Sequence, residues 1–204
     1  MLNELESDLG GLKKAKLVNN TVGYKRSTLP TLLECLDKPA TTLKDMRNFV
    51  DVGCGVGQIV LAWGCTFNHM DVYGVELDEK RLAKLEHRMK DYVDYGLITE
   101  RVHLIHTDIT KDYNNNEQWR FLTEGKTMIY YNNFNLSGEV DHSFANVVEK
   151  YAAQGSLIIC YRGEMFNRSD KVELVSETEI EVGGEQFSWM QKEHKVTVNL
   201  FRKI

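Results

Sequence analysis

Phe49-Val50-Asp51-Val52-Gly53-Cys54-Gly55-Val56-Gly57-Gln58 reads as an apolar strand running into a glycine turn and then a helix. Further on, Asp71-Val72-Tyr73-Gly74-Val75-Glu76 reads as a second apolar strand ending in a carboxylate. In a parallel α/β sheet such strands lie side by side, and ligands bind beyond their carboxyl ends. Glycines at 53, 55 and 57 allow a tight turn and a close backbone approach to a ligand. Glu76 then stands where it could accept two hydrogen bonds from a ribose diol. The pair of segments predicts a site for an adenosine-containing cofactor. The bland alternative is a glycine turn that binds nothing.

The spacing D-x-G-x-G-x-G separates two cofactor classes. Dinucleotide folds more often show G-x-G-x-x-G, whose amides face a pyrophosphate. Here the third glycine comes one residue early, and Asp51 precedes the turn. A carboxylate there would repel pyrophosphate but suits a ligand carrying an ammonium and a sulfonium. The pattern resembles motif I of S-adenosylmethionine-dependent methyltransferases.

Composition sets the outer limits. A chain of 204 residues with 42% hydrophobic and 27% charged residues can bury one sizeable α/β core. No apolar run approaches a membrane span, and the start Met1-Leu2-Asn3-Glu4-Leu5-Glu6 has no signal-peptide pattern. Cys35, Cys54, Cys65 and Cys160 are scattered without a C-x-x-C pair. They suggest thiols in a reducing, intracellular compartment: the nucleus in a eukaryote, otherwise cytoplasm or nucleoid. The net charge of −5 makes a poor match to nucleic-acid phosphates and a better one to a basic protein. Lys13-Lys14-Ala15-Lys16 and Lys25-Arg26 form only a small basic patch. No metal set is expected, because His103 and His106 fall on opposite faces of one strand.

Periodicity predicts a class I, Rossmann-like α/β fold: a mostly parallel seven-stranded sheet with a C-terminal antiparallel hairpin. Strands are expected at 49–52, 72–75, 102–106, 127–131 and 157–161, with the hairpin at 171–182 and 195–202 turning through Gly183-Gly184. Helices are expected at 1–18, after Pro30, and at 58–67, 78–95 and 140–153, with 113–123 a short helix or loop. Residues 1–47 form an N-terminal appendage and 48–204 one methyltransferase domain. Asp108 ends the third strand, where this fold commonly contacts adenine; a helix cap is the plain alternative.

The fourth strand ends in Tyr130-Tyr131-Asn132-Asn133-Phe134-Asn135-Leu136, followed by Ser137-Gly138-Glu139-Val140-Asp141-His142. Two adjacent asparagines at a core strand end are unusual, since such positions favour apolar residues. An asparagine carbonyl can accept a hydrogen bond from an amine and aim its lone pair at a methyl carbon. A pair of turn-forming asparagines is the competing reading.

This string resembles the N-N-F-x-F-x-P-E-V-D-H signature of the disruptor-of-telomeric-silencing (Dot-one-like) methyltransferases, non-SET enzymes that methylate a histone lysine. Phe49–Gln58 is similar to their F-V-D-L-G-S-G-V-G-Q, and Tyr73-Gly74-Val75-Glu76 to their Y-G-V-E. Ser188-Trp189 resembles their S-W-T, and Tyr24 with Ser27 and Thr28 falls near the spacing of their Y-G-E-T-S loop. The resemblance implies that Asp51, Gly53, Gly55 and Gln58 hold the methionine end of S-adenosyl-L-methionine. It implies that Glu76 holds the ribose, that Asp108 and Ile109 meet the adenine, and that Tyr24 closes over the cofactor. Asn132 would line the channel for the substrate amine, with Tyr131, Ser27 and Trp189 as walls. The chain departs from the family at Tyr24-Lys25-Arg26-Ser27, which lacks its glycine and glutamate, and at Lys195-Val196-Thr197, where its tyrosine pair is missing.

The expectation is therefore a protein-lysine N-methyltransferase acting on a histone or other small basic protein. It would be monomeric, with weak or no nucleic-acid binding and no membrane partner. Methylation of an exocyclic base amine or glutamine amide is the rival activity, with Asn132-Asn133-Phe134 as a partial mimic of an N-P-P-Y loop. A cofactor-binding module without transfer is the rival from another class.

Overall fold

The computed structural model describes residues 29–36, 39–134, 136–182 and 194–204. The expected helix at 1–18, Tyr24, Ser27, Trp189 and the Gly183-Gly184 turn lie outside the described residues.

Seven strands form one sheet: β1 (Asn48–Val52), β2 (Asp71–Glu76), β3 (Val102–His106), β4 (Thr127–Tyr131), β5 (Leu157–Cys160), β6 (Val172–Val182) and β7 (His194–Lys203). Their order is β3-β2-β1-β4-β5-β7-β6. β1 to β5 run parallel, and β7 pairs antiparallel with both β5 and β6. The strand order reverses between β1 and β4, the switch point at which open α/β sheets bind ligands. Val52 lies level with Val75 on one side and Tyr131 on the other. The ends of β1, β2 and β4 therefore open onto the same place.

Helices cover both faces, so the central strands are buried throughout: all five residues of β1 and of β4, and all four of β5. Alternate residues sort into two cores. Phe49, Val72, Met128, Tyr130 and Ile159 face helices α1 (Leu29–Glu34), α2 (Pro39–Lys44), α3 (Gln58–Thr66) and α4 (Glu79–Asp94). Val50, Val52, Val75, Ile129, Tyr131 and Ile158 face α5 (Ile109–Asp112), α6 (Asn116–Trp119) and α7 (Gly138–Tyr151). Leu32, Leu36, Leu43 and Met46 belong to the first of these cores. The segment just before β1 thus shares its apolar burial with the sheet.

Local sequence explains the helix boundaries. Asp78 Oδ1 accepts from the Lys80 and Arg81 amides at 2.8 and 3.2 Å, capping α4 where the sequence places its start. Ser137 caps α7, and Glu139 and Asp141 in the first turn complement its dipole. α7 begins two residues earlier than the apolar periodicity indicates, because Ser137 supplies the cap. The helices at 39–44 and 109–112 are too short for periodicity to reveal. No helix among the described residues is long and apolar enough to cross a membrane.

Candidate active site

The first half of the site is built from β1, β2 and the glycine turn. Gly53 and Cys54 donate their amides to the Val75 carbonyl at 2.8 and 3.0 Å, which pins the turn to the end of β2. Gly53, Gly55 and Gly57 all have positive φ (80°, 58° and 74°), yet they do different work. A Cβ on Gly57 would lie 2.1 Å from Leu85 Cδ1, so this glycine lets α4 pack against the turn. A Cβ on Gly53 or Gly55 would meet none of the described residues within 4 Å. Among the described residues these two positions are free of packing. Arg88 on α4 donates to the Val56 carbonyl at 2.8 Å and braces the turn from outside.

Asp51 and Glu76 are both buried, and strand alternation puts them on the same face of the sheet. Among the described residues, none donates a hydrogen bond to the Asp51 carboxylate. Burial first, and the neighbouring Glu76 charge second, push Asp51 up to about 8.

Glu76 is engaged differently. Its Oε1 accepts the Leu77 and Asp78 amides at 3.0 and 2.9 Å, and its Oε2 accepts the Gly55 amide at 2.7 Å. Three of the roughly four acceptor positions of a carboxylate are thereby taken. The expected two-oxygen grip on a ribose diol is reduced to Oε2 alone unless the Gly55 bond opens. Leu77, 59% exposed, presents an apolar side chain beside it. Sequence reading passed Leu77 over; a large apolar residue immediately after a strand-ending carboxylate is the signal that could have marked this surface.

Asp108 caps α5. Its Oδ1 accepts the Thr110 amide and hydroxyl at 3.1 and 2.6 Å, and its Oδ2 lies 2.9 Å from Lys111 Nζ. The Thr110 hydroxyl first, then Lys111, hold its carboxyl below the usual range. Ile109 is buried in the second core. Gln58 opens α3 directly after Gly57.

The second half of the site is the end of β4. Asn133 is completely buried and uses its full hydrogen-bonding capacity. Its Nδ2 donates to Asp141 Oδ1 at 3.1 Å and to the Arg162 carbonyl at 2.9 Å. Its Oδ1 accepts the amides of Tyr161 and Arg162 at 3.1 and 3.0 Å. One side chain thus joins the end of β4, the first turn of α7 and the end of β5. Asn132, the next residue back, is only partly buried and has no hydrogen-bond partner among the described residues. The two asparagines that look alike in sequence differ: one is locked by four hydrogen bonds, and the other is partly exposed just beyond the end of β4.

Tyr131, expected as a channel wall, is instead an interior residue. The alternation of β4 turns it into the second core, where its ring stacks on Phe144 at 3.9 Å and its hydroxyl donates to Asp141 at 3.0 Å. Burial, followed by the Asp141 charge, raises its phenol above the ordinary range. On the opposite face stand Tyr130 and, at 6.2 Å edge-to-face, Phe134 and Tyr161. His103 lies near Asp71 and against Tyr73, whereas His106 contacts the Leu77 carbonyl, so the two histidines serve different neighbours. Arg162, which sequence reading passed over, is the other member of this polar group. No motif marks it; only the fold brings it to Asp141.

The family profile described as Histone methylation protein DOT1 matches residues 11–198. The chain belongs to the DOT1 family. Its fold is that of the class I S-adenosylmethionine-dependent methyltransferases. Similar solved structures include TrmN from Thermus thermophilus (TM-score 0.55, 19% identity, 81% of this chain and 48% of that one). A putative rRNA methylase from Clostridium thermocellum is also similar (TM-score 0.56, 17% identity, 81% of this chain and 92% of that one). A third is an StiE O-MT segment (TM-score 0.57, 14% identity, 84% of this chain and 71% of that one). At these identities the likeness is one of fold, and the chain spans about half the length of the Thermus protein.

Proposed function

We propose that this DOT1-family chain transfers a methyl group from S-adenosylmethionine to a lysine amine of a histone or other small basic protein. The observation that carries the reading is the divided asparagine pair: Asn133 locked, Asn132 offered at the switch point beside the glycine turn.

The residues fit the cofactor. Asp51 is a buried carboxylate in need of a cation and suits the ammonium of the methionine end. Gly53 and Gly55 leave room for a ligand, with Gln58 at the mouth of α3. Glu76 Oε2 would take a ribose hydroxyl, and Leu77, Asp108 and Ile109 would border the adenine. When bound, the cofactor supplies a methyl already activated by its sulfonium, so the protein has to align the acceptor rather than activate the donor. The Asn132 carbonyl would accept a hydrogen bond from the incoming amine and set its direction. Desolvation in an apolar channel lined by residues such as Tyr130, Phe134 and Tyr161 would disfavour the charged ammonium and make the neutral, nucleophilic amine more accessible. Tyr24, Ser27 and Trp189 are the family positions that would close over cofactor and substrate. The net charge of −5 favours a basic partner.

The test is incubation with methyl-labelled cofactor and, separately, core histones, a short basic protein, duplex DNA and RNA. Mass spectrometry then locates the label. Methylated lysine is expected. Label on a base or glutamine, with none on lysine, would reject the protein-lysine reading.

A further inference from the structure

Arg162 lies two residues beyond the end of β5 and faces the first turn of α7. Its Nη2 donates to the Leu136 carbonyl and to Asp141 Oδ2, both at 2.6 Å. Its Nε is buried without a partner among the described residues, so the grip comes from one nitrogen. Leu136 is the far end of the β4–α7 connection whose near end is Asn132. Asp141, in turn, holds the Tyr131 hydroxyl and the Asn133 amide through its other oxygen.

We propose that Arg162 is a positioning residue for methyl transfer. Its side chain ties the far end of the Asn132-bearing connection to Asp141, and so fixes the direction of the Asn132 amide at the switch point. This rests on the reading of Asn132 given above, and it names a residue that no motif reveals.

Two features make the role separable from folding. The bonds from Asn133 reach the main chain of Tyr161 and Arg162, so they persist when the Arg162 side chain is removed. The Arg162 side chain is also 36% exposed, so truncation opens little of the core. The main-chain bonds of Asn133 persist, while Leu136 at the far end and the Asp141 carboxylate that anchors Asn133 Nδ2, next to Asn132, lose their tie. A loose far end lets Asn132 sample directions that are not aligned for transfer, and small misplacements lower turnover strongly. Neither bond touches the glycine turn, so cofactor binding should not change.

Because one nitrogen makes both bonds, a lysine ammonium can imitate it, with shorter reach. The experiment compares wild type, Arg162→Ala and Arg162→Lys in the full chain. It uses labelled cofactor with core histones for turnover, calorimetry with S-adenosylhomocysteine for affinity, and amide hydrogen exchange at Leu136, whose amide bonds the Asn133 carbonyl. For Arg162→Ala we expect roughly tenfold or greater loss of kcat. KM for histone and cofactor affinity should stay within about twofold, with faster exchange at Leu136. Arg162→Lys should recover part of the kcat. Wild-type turnover in Arg162→Ala overturns the proposal. So does an equal loss in Arg162→Lys accompanied by weaker cofactor binding, which would mark a general role in the fold. If wild type labels no acceptor, the proposed function fails; unchanged Leu136 exchange in Arg162→Ala would then still overturn the positioning role, and faster exchange would sustain its structural half.

Discussion

The two halves of the site use polar groups in opposite ways. At the ends of β1 and β2, a buried carboxylate lacks a donor among the described residues, and a Cβ on either of two glycines would meet none of them within 4 Å. At the ends of β4 and β5, every hydrogen-bonding group of the buried Asn133 is engaged, and Asp141 binds three partners. A buried polar group left unsatisfied costs free energy. Asn133 is spared that cost by its four hydrogen bonds, whereas Arg162 Nε beside it bears the cost among the described residues. Under the proposed function the first half binds the cofactor, and the second, clamped by Asn133, is the rigid half that directs transfer.

Substitutions sharpen that contrast. The largest effect is expected for Asn133→Ala, which orphans the Tyr161 and Arg162 amides and the Arg162 carbonyl in the interior. A loss of stability on the order of 3–5 kcal/mol should follow, read as the shift in urea unfolding. A loss under 1 kcal/mol would show that the polar group at β4 and β5 is not the rigid half. Asn132→Ala should fold normally and keep cofactor affinity, yet lose roughly a hundredfold in kcat, about 2.7 kcal/mol of transition-state stabilisation. Stopped turnover with weakened cofactor binding would instead move Asn132 into the binding half.

The glycines divide along the same line. Gly57→Ala forces a Cβ onto Leu85 in addition to its positive φ, whereas Gly55→Ala bears mainly the backbone cost. Gly57→Ala should therefore be the less stable of the two by roughly 1–3 kcal/mol. Gly55→Ala should lose more cofactor affinity than stability. Thermal melts and calorimetry on both variants check the order.

The smallest effect is a pH dependence of the ligand-free protein. Asp51 has a folded value of about 8, raised from 3.8. A carboxyl raised on folding stabilises the protein fully below its unfolded value, and that contribution is lost as pH rises through the folded one. Between pH 7 and 8 wild type should lose about 1 kcal/mol relative to Asp51→Asn. Parallel stability curves for the two proteins would show that Asp51 has a partner in solution, and the binding half would be less open than its geometry indicates.

Much of this was legible in the chain. The strands are short apolar runs bounded by glycine and polar turns, and both faces of the central ones are covered, so apolar composition alone marks them. Asp78 caps α4 through its own backbone neighbours, a purely local interaction. The strings around Asp51, Glu76 and Asn132 identified the family because each is contiguous. Other features were harder to see. The helices at 39–44 and 109–112 lack a full period. Tyr131 and Tyr130 are adjacent and identical, and only the pleat decides which one faces α7.

The sequence by itself determined the sheet, the glycine turn and the two strand-ending carboxylates, because backbone conformation and burial follow from local residue type and spacing. Tertiary structure decided which of three glycines packs and which two stay open, which asparagine is locked and which is offered, and that Arg162 reaches Asp141. Those outcomes depend on atoms far apart in the chain. Leu85 meets Gly57 and Arg162 meets Leu136 only after the sheet has brought the strand ends level, and no local pattern encodes a contact made across that distance.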